Sequence, residues 1–404
     1  MTQHFPPEGG AHAGRWDWLS SGLLNHGHRL DVVVPRWGSH TRHHGGRGLT
    51  VREVRAIVPG LSLRRRVVNE ALTGLQTIVA GLRSPRPDVV VATVPALVTL
   101  PAGWLVAKLR GRPLVVELRD AWPHLLDDMH EWADDGTHDE PFPVPVARFA
   151  PVLRAAIWHV LHSSDAVITT TDSLARDLRA HGLAHVSVAR NTARGVDLLP
   201  PPDDHHPELR VLYLGVLGRA QRLAVAIDAA ALLRDSDTPV SLRIVGDGAH
   251  KQALMTYAHR LGVEVDWRDR VPESETAEQL AWADTVLISL RRWAGMNLTV
   301  PSKLYPTMMA GRHISASVEG ETADIIRQSG AGDVVPPEDP QALAQLWRDL
   351  AHERQRLRIS PLARGWALAG SPEVSVRHVE KALLTAAGQL QGGPAPSRVD
   401  SGAT

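Results

Sequence analysis

The sequence predicts an α/β protein made of two parallel-sheet domains facing a cleft. Three observations carry this expectation. Short apolar runs rich in Val, Ile and Leu alternate with amphipathic stretches along nearly the whole chain, as parallel strands covered by helices do. The alternation stops once, at "GVDLLPPPDDHHPELR", where proline and charge replace any hydrophobic period, and then restarts. At 404 residues the chain exceeds one ordinary domain and accommodates two.

In the first half, strands are expected at "RLDVVVP", "DVVVAT", "RPLVVEL", "DAVITTT" and "VSVAR". Helical patterns separate them: one from Ala13 to His26, and another, "TDSLARDLRAHG", with Asp172 near its cap and Gly182 just past its end. In the second half, strands are expected at "LRVLYLG", "VSLRIVGDG", "VEVDW", "DTVLISL" and "HISASVEG". The expected domains are Rossmann-like: 1–193, a linker at 194–208, and 209–370. A helix at 371–389 would cross back to the first domain, and a disordered tail at 390–404 would follow. A ligand should sit at the carboxyl ends of the strands, facing the cleft.

Composition narrows the class. Lys plus Arg equals Asp plus Glu at 44 each, so no bulk basic charge points to nucleic acid. The chain has no cysteine, which excludes a disulfide framework and a cysteine-based zinc centre and fits a cytosolic setting. No basic-then-apolar leader opens the sequence. The uncharged run "VVVATVPALVTLPAGWLVA" is long enough for a membrane span. However, Pro95 and Pro101 would each break a helical hydrogen bond, so its front reads as a buried strand and its rear as a loop and a helix.

The N-terminus is short for this pattern. "MTQHFPPEGG" has the loop that should follow a first strand and almost none of the strand. The expectation is a true start upstream, with Met1 an internal valine codon read as an initiator; a native chain beginning at Met1 or Thr2 in mass spectrometry would reject it.

Five segments together resemble the family 4 glycosyltransferases of the two-domain GT-B type, near the branch that builds bacterial surface polysaccharides. They are "FPPEGGAHAGR", "PDVVVATVPALV" with "RPLVVELRDAWP", "LYLGVLGRAQRL", "RIVGDG", and "VPSKLYPTMMAG" with "SVEGETADII". The resemblance spans nearly the whole chain. It implies a retaining transfer from a nucleotide-sugar, with UDP the prior base, and no bound metal or other cofactor. The donor would sit on the C-terminal domain and a glycan or lipid-linked acceptor on the N-terminal one, in the cytoplasm or peripherally at the inner membrane face. Without a metal, the leaving diphosphate must be neutralised by backbone N–H groups and by Lys or Arg.

Site residues follow from that match. In "VPSKLYPTMMAG", Ser302 is expected to cap a helix whose free amides, with Leu304, face the diphosphate, while Lys303 adds a full charge. Pro306 and Leu298 stand where the family carries the two glutamates of an E-x7-E pattern. A proline cannot hold ribose hydroxyls, and it is tolerable there only in a first helical turn. Gly215, Gly218 and Arg219 form a second phosphate turn, in which Val216 and Arg222 depart from the branch. Gly246 and Asp247 would border the nucleotide, with Val271 and Pro272 near the base. Gly9 and Gly10 would lie under the donor sugar, with Glu8 ordering their loop.

On the acceptor side, "VVELRDAWPH" should direct Glu117, Arg119, Asp120 and His124 into the cleft. Arg119 occupies the place of a family histidine that contacts the sugar. In this type of retaining transfer the departing phosphate accepts the acceptor's proton, so Asp120 positions the acceptor with some base character. "HLLDDMHEWADDGTHDE" carries seven acids and three histidines without a recognised metal-ligand spacing, and it reads as a solvated loop over the acceptor. Arg64, Arg65 and Arg66 lie on an amphipathic helix, either as a solvated face or in contact with anionic lipid or a lipid-linked acceptor. The altered glutamate positions leave a competing reading from another class: a non-catalytic subunit of the same fold that binds a glycan or activates a partner transferase. An epimerase on this fold would need catalytic carboxylates and a histidine in the cleft, and no such constellation is found.

Overall fold

The computed structural model describes residues 1–7, 11–36, 45–55, 63–94, 98–133, 148–193, 195–202, 206–234 and 236–388, with the backbone alone at 11–12, 63–67 and 129–133. The N-terminal half runs α1 (Ala11–Asn25), β1 (Leu30–Arg36), β2 (Leu49–Arg55), α2 (Leu63–Arg83), β3 (Val90–Val94), α3 (Thr99–Arg110) and β4 (Leu114–Leu118). A 3-10 segment, His124–Ala133, leads to α4 (Ala150–His162), β5 (Ala166–Thr169), α5 (Asp172–Ala180) and β6 (Val186–Val188). The C-terminal half comprises β7 (Leu209–Leu214), α6 (Ala224–Leu233), β8 (Val240–Val245), α7 (Lys251–Leu261), β9 (Val265–Arg268), α8 (Thr276–Trp282), β10 (Thr285–Ser289), α9 (Leu304–Ala310), β11 (His313–Ser317), α10 (Gly320–Ser329) and β12 (Gly332–Val335). Three helices follow: α11 (Pro340–His352), α12 (Pro361–Ala369) and α13 (Pro372–Ala386).

The C-terminal sheet has six strands in the order β12-β11-β10-β7-β8-β9, all parallel. Strand order therefore reverses between β7 and β10, and a ligand crevice is expected at their carboxyl ends. Strands β10 and β11 are buried along their whole length, as a sheet covered on both faces requires. Trp347 of α11 closes one face, its indole N–H donating to Ser315 Oγ at 3.2 Å.

The N-terminal sheet comes in two parallel pieces, β1-β2 and β3-β4-β5-β6. Met1 and Thr2 bridge them: Thr2 N donates to Val33 O at 3.2 Å, and Met1 O accepts from Thr93 N at 3.1 Å. The Met1 ammonium donates to Val91 O at 2.7 Å, and burial lowers its pKa to about 6. Strands β2 and β12 escape the sequence pattern because both are edge strands: "LTVREVR" is largely polar and "GDVV" is four residues long.

The uncharged run at 89–107 divides into β3 and α3, and no helix among the described residues is long and apolar enough to cross a membrane. Helix α5 is capped one residue earlier than the sequence suggests: Thr171 accepts from Leu174 N. Helix α13 packs on α1 and along β4 to β6. The approach is close, since a Cβ on Gly22 would lie 2.5 Å from Val376 Cγ2.

Candidate functional site

The carboxyl ends of β7 and β8 carry two glycine turns that lock into each other. Gly246 adopts φ +152°, and a Cβ there would fall 1.8 Å from Gly215 O. Only glycine allows that approach. The two loops are then joined by Leu217 N donating to Asp247 O at 2.9 Å and His250 N donating to Leu217 O at 3.1 Å.

The amides of these turns are already engaged: Gly215 N with Val245 O, Gly246 N with Arg268 O, Gly218 N with Gln221 Oε1 and Gly248 N with Asp247 Oδ1. The amides of Gly215 and Gly246 are thus spent on neighbouring strands, and that of Gly218 on the Gln221 side chain. Asp247 is exposed, with one carboxylate oxygen taken by its own turn.

Charge is the feature that stands out. Gly215 adopts φ +147°, and the space where its Cβ would be lies 3.0 Å from Lys303 Nζ. The ammonium rests 3.4 Å from the centroid of the Tyr213 ring. It is enclosed and has no hydrogen-bond acceptor, although the stem of the side chain is partly exposed. Burial alone pushes the Lys303 pKa well below its ordinary value. Tyr213 cannot help, because its hydroxyl donates to Val216 O at 2.6 Å and burial pushes its own pKa up. A buried ammonium facing only a π-cloud is costly, and an anion arriving beside it would offset that cost.

Further cations gather at the same strand ends. Arg219 Nε donates to His250 Nε2 at 2.9 Å. Arg222 stands in left-handed backbone at φ +43°, where a glycine would carry no strain, and its Nη1 is buried without an acceptor. From β10, Arg291 is buried, its guanidinium 5.1 Å from the Trp293 ring, and its amide is tied to Ala220 O at 2.9 Å.

The helix after this region departs from expectation. α9 starts at Leu304, its cap position is Lys303, and no side chain caps it; Ser302 makes no capping bond. Leu304 is fully buried and its amide donates to Pro301 O at 3.0 Å, so it offers nothing to a ligand. Pro306 is the third helical residue, where its missing N–H costs no bond. Val271 is half-buried against the cluster around Val196 and Leu212. Gly9 and Gly10 lie outside the described residues, as do the side chains of Arg64, Arg65 and Arg66; the three arginines begin α2.

Near the carboxyl end of β4, Glu117 is structural. Buried Arg15 donates to its Oε1 at 2.7 Å and also binds Ala189 O and Arg190 O. Arg119 and Asp120 follow at the end of β4. Burial lowers the Arg119 pKa to about 10 against the pull of Glu117 and Asp120. Burial raises that of Asp120, with Arg119 opposing, so Asp120 is a better proton acceptor than an ordinary aspartate. His124 does not join them. Its Nε2 lies 2.6 Å from Asp177 Oδ2 on α5, and its ring packs edge-on to Trp158.

The wall between the halves is closed by residues that the sequence reading did not single out. Glu321 accepts from Asp172 N at 3.1 Å and Ser173 N at 2.5 Å, capping α5 from the other half of the chain. Arg190 pairs with both Glu321 and Asp172. Thr171 Oγ1 donates to Leu298 O at 2.7 Å, so the residue at the first glutamate position contributes backbone to this wall. The signal available beforehand was "GETADII", an acid at a helix start with no local partner. Glu321→Ala should lower stability by about 1–2 kcal/mol, read as a urea midpoint shift, while Glu321→Gln should recover part of it.

Two family models match the chain, one in each half. Residues 10–192 match the model described as a glycosyl transferase 4-like domain, and residues 208–353 match that for glycosyl transferases group 1. Both halves of the chain therefore carry glycosyltransferase family domains. A curated relative, the probable glycosyltransferase WbjE of Pseudomonas aeruginosa, is 29% identical over 218 residues, 48% of this chain. The chain spans about half the length of that relative, 52%. Among solved structures, the chain resembles sucrose-phosphate synthase from Thermosynechococcus elongatus, with a TM-score of 0.72, 14% identity and 94% of each chain covered. It also resembles Anabaena HepE in complex with UDP-glucose, with a TM-score of 0.65, 15% identity and coverage of 95% of this chain and 100% of that one. These likenesses establish the GT-B fold.

Proposed function

We propose that this glycosyltransferase moves a sugar from a nucleoside-diphosphate sugar, with retention and without a catalytic metal, onto a glycan or lipid-linked acceptor. The observation that carries this reading is Lys303: a buried, unpartnered ammonium at the switch point of the sheet, against the Gly215 turn. A diphosphate leaving group would supply its missing counter-charge, and that charge grows as the glycosidic bond breaks. The acceptor oxygen attacks the anomeric carbon on the face the diphosphate leaves. Its proton passes to a departing phosphate oxygen, and Asp120, with Arg119, orients the acceptor hydroxyl.

UDP is the favoured base because HepE, which shares the fold, is described with UDP-glucose. A thermal-shift panel of UDP, GDP, ADP, TDP and CMP tests this. At roughly 100 times its Kd a ligand stabilises by about 2.7 kcal/mol, so UDP should raise Tm by a few degrees and the others should not. Pro306→Glu restores an acceptor for ribose hydroxyls and should tighten UDP about tenfold, a gain of roughly 1.4 kcal/mol.

Pro306 and Leu298 also favour the second reading, a non-catalytic subunit that binds a glycan or activates a partner transferase. A well-folded protein that responds to none of the nucleotides would support that reading and sink the first. For an acceptor at a membrane, α2 offers exposed Val68, Leu72, Leu75 and Val79, one stripe at helical spacing behind the arginine run. Flotation with anionic vesicles, abolished by Leu72→Glu/Leu75→Glu, is the expected result.

A further inference from the structure

We propose that His124, Asp177 and His181 form a binding site for a first-row transition-metal ion of the zinc type, separate from sugar transfer. Asp177 and His181 lie four residues apart at the end of α5, so both side chains leave the same face. His124, arriving from the segment after β4, supplies a third ligand atom. His124 Nε2 lies 2.6 Å and His181 Nδ1 3.4 Å from the same oxygen, Asp177 Oδ2. All three candidate ligand atoms fall within 4.8 Å of one another, the one such group among the described residues.

The dimensions suit the ion. Ligands at about 2.0 Å from tetrahedral zinc stand about 3.3 Å apart. The His181–Asp177 spacing already meets that, and the His124–Asp177 pair must open by under about 1 Å. The donor set, two imidazoles and a carboxylate with no thiolate, selects zinc, cobalt or nickel over calcium or magnesium. A fourth position is left for water, because the side chains of His124, Asp177 and His181 are 19%, 25% and 46% exposed.

The rings are held in place by packing. Trp158 stacks on His181 at 4.7 Å and 23° and meets His124 edge-on at 5.9 Å. His162 Nε2 lies 3.0 Å from the carbonyl of His181. In the metal-free form His181 Nδ1 is 2.9 Å from Asp177 O. Binding requires each ring to present a lone pair at the named nitrogen and carry its proton on the other. The ion would then tie the chain leaving the Arg119–Asp120 strand to α5, the helix that Glu321 caps from the other half.

A second histidine–carboxylate cluster provides the contrast. His26 and His28 each address a different oxygen of Glu380, so no common centre is formed.

The test uses the full chain, stripped with EDTA and titrated with Co2+ alone as a spectroscopic probe, then with Zn2+ in competition. Expected are one Co2+ per chain with the intense visible absorption of a four-coordinate site, displacement by Zn2+, and a raised Tm. His181→Gln and Asp177→Asn should each weaken binding tenfold or more, to roughly the loss seen for damaged metal shells. His181→Gln alters a side chain at the surface, and its metal-free Tm checks that it folds. His26→Ala/His28→Ala should bind as the parent does. The proposal is overturned if Co2+ shows only weak six-coordinate absorption, if His181→Gln retains parental affinity, or if the His26/His28 variant loses the site.

Discussion

Lys303→Met should make the free protein more stable and the nucleotide-bound protein less so. In the free state the substitution removes a buried ammonium whose neighbour is the Tyr213 ring and replaces it with an apolar side chain of similar length. A gain of about 1–3 kcal/mol is expected, as for other buried charges replaced by hydrophobes. UDP affinity should fall about 100-fold or more, and transfer should fall by about 10²–10³, the scale of losing one preorganised charge at a leaving group. These opposite signs separate a ligand site from a structural lysine. Equal UDP affinity in the variant would remove Lys303 from the donor site.

A proton accompanies this effect. Burial holds the Lys303 pKa well below its ordinary value, and a bound diphosphate favours the charged form. Nucleotide binding therefore takes up a proton at any pH between the lowered pKa of the free protein and the higher pKa of the complex. Affinity falls as pH rises through that window. For folding, the unfolded lysine binds more protons over the interval up to its ordinary pKa, so the stability of the free protein rises with pH there. Calorimetry in buffers of different ionisation enthalpy should show the uptake in the parent and none in Lys303→Met.

Arg15→Ala should be the most destabilising single change outside the sheets. Arg15 and Glu117 are each 2% exposed and paired at 2.7 Å. Removing the guanidinium strands a buried carboxylate, together with the carbonyls of Ala189 and Arg190. The expected cost is about 3–5 kcal/mol, a large part of the stability of a typical domain. Arg15→Met/Glu117→Leu should recover much of it by removing both charges, leaving the two carbonyls unsatisfied. A urea midpoint for Arg15→Ala within about 0.5 kcal/mol of the parent would show that the pair carries no such burden.

Much of the architecture was legible because its signals are local. The buried strands β3, β4, β7, β8, β10 and β11 are short β-branched or apolar runs, and each is followed by a helical pattern. The turns at Gly215 and Gly246 were visible as glycine after strand. The edge strands β2 and β12 were not, since a strand with one neighbour and a solvated face needs little hydrophobic pattern. Pro306 was correctly expected in a first helical turn, because the ring restricts where it can sit.

The functional groups divide along the same line. The residue types of the candidate site, Arg219 after the Gly215 turn and Lys303 before α9, could be named from motif and order alone. That the amides of Leu217 and His250 join one loop to the other, and that Lys303 faces a tyrosine ring with no acceptor, depends on how β7 and β8 bring separate loops together. His124 looked like a cleft residue by its place after "RDAWP", but its ring is taken by Asp177, 53 residues later. Glu117 looked like one too, until Arg15 from α1 reached it. The sequence by itself determined most of the strand and helix repertoire, the two-part organisation and the residue types at the strand ends, because propensity, periodicity and turn chemistry act over a few residues. The tertiary structure alone decided which charges are paired, which is left unsatisfied and which acid caps the opposite half. Those depend on distances between groups up to 354 residues apart, and Coulomb and desolvation energies are set by separation in space.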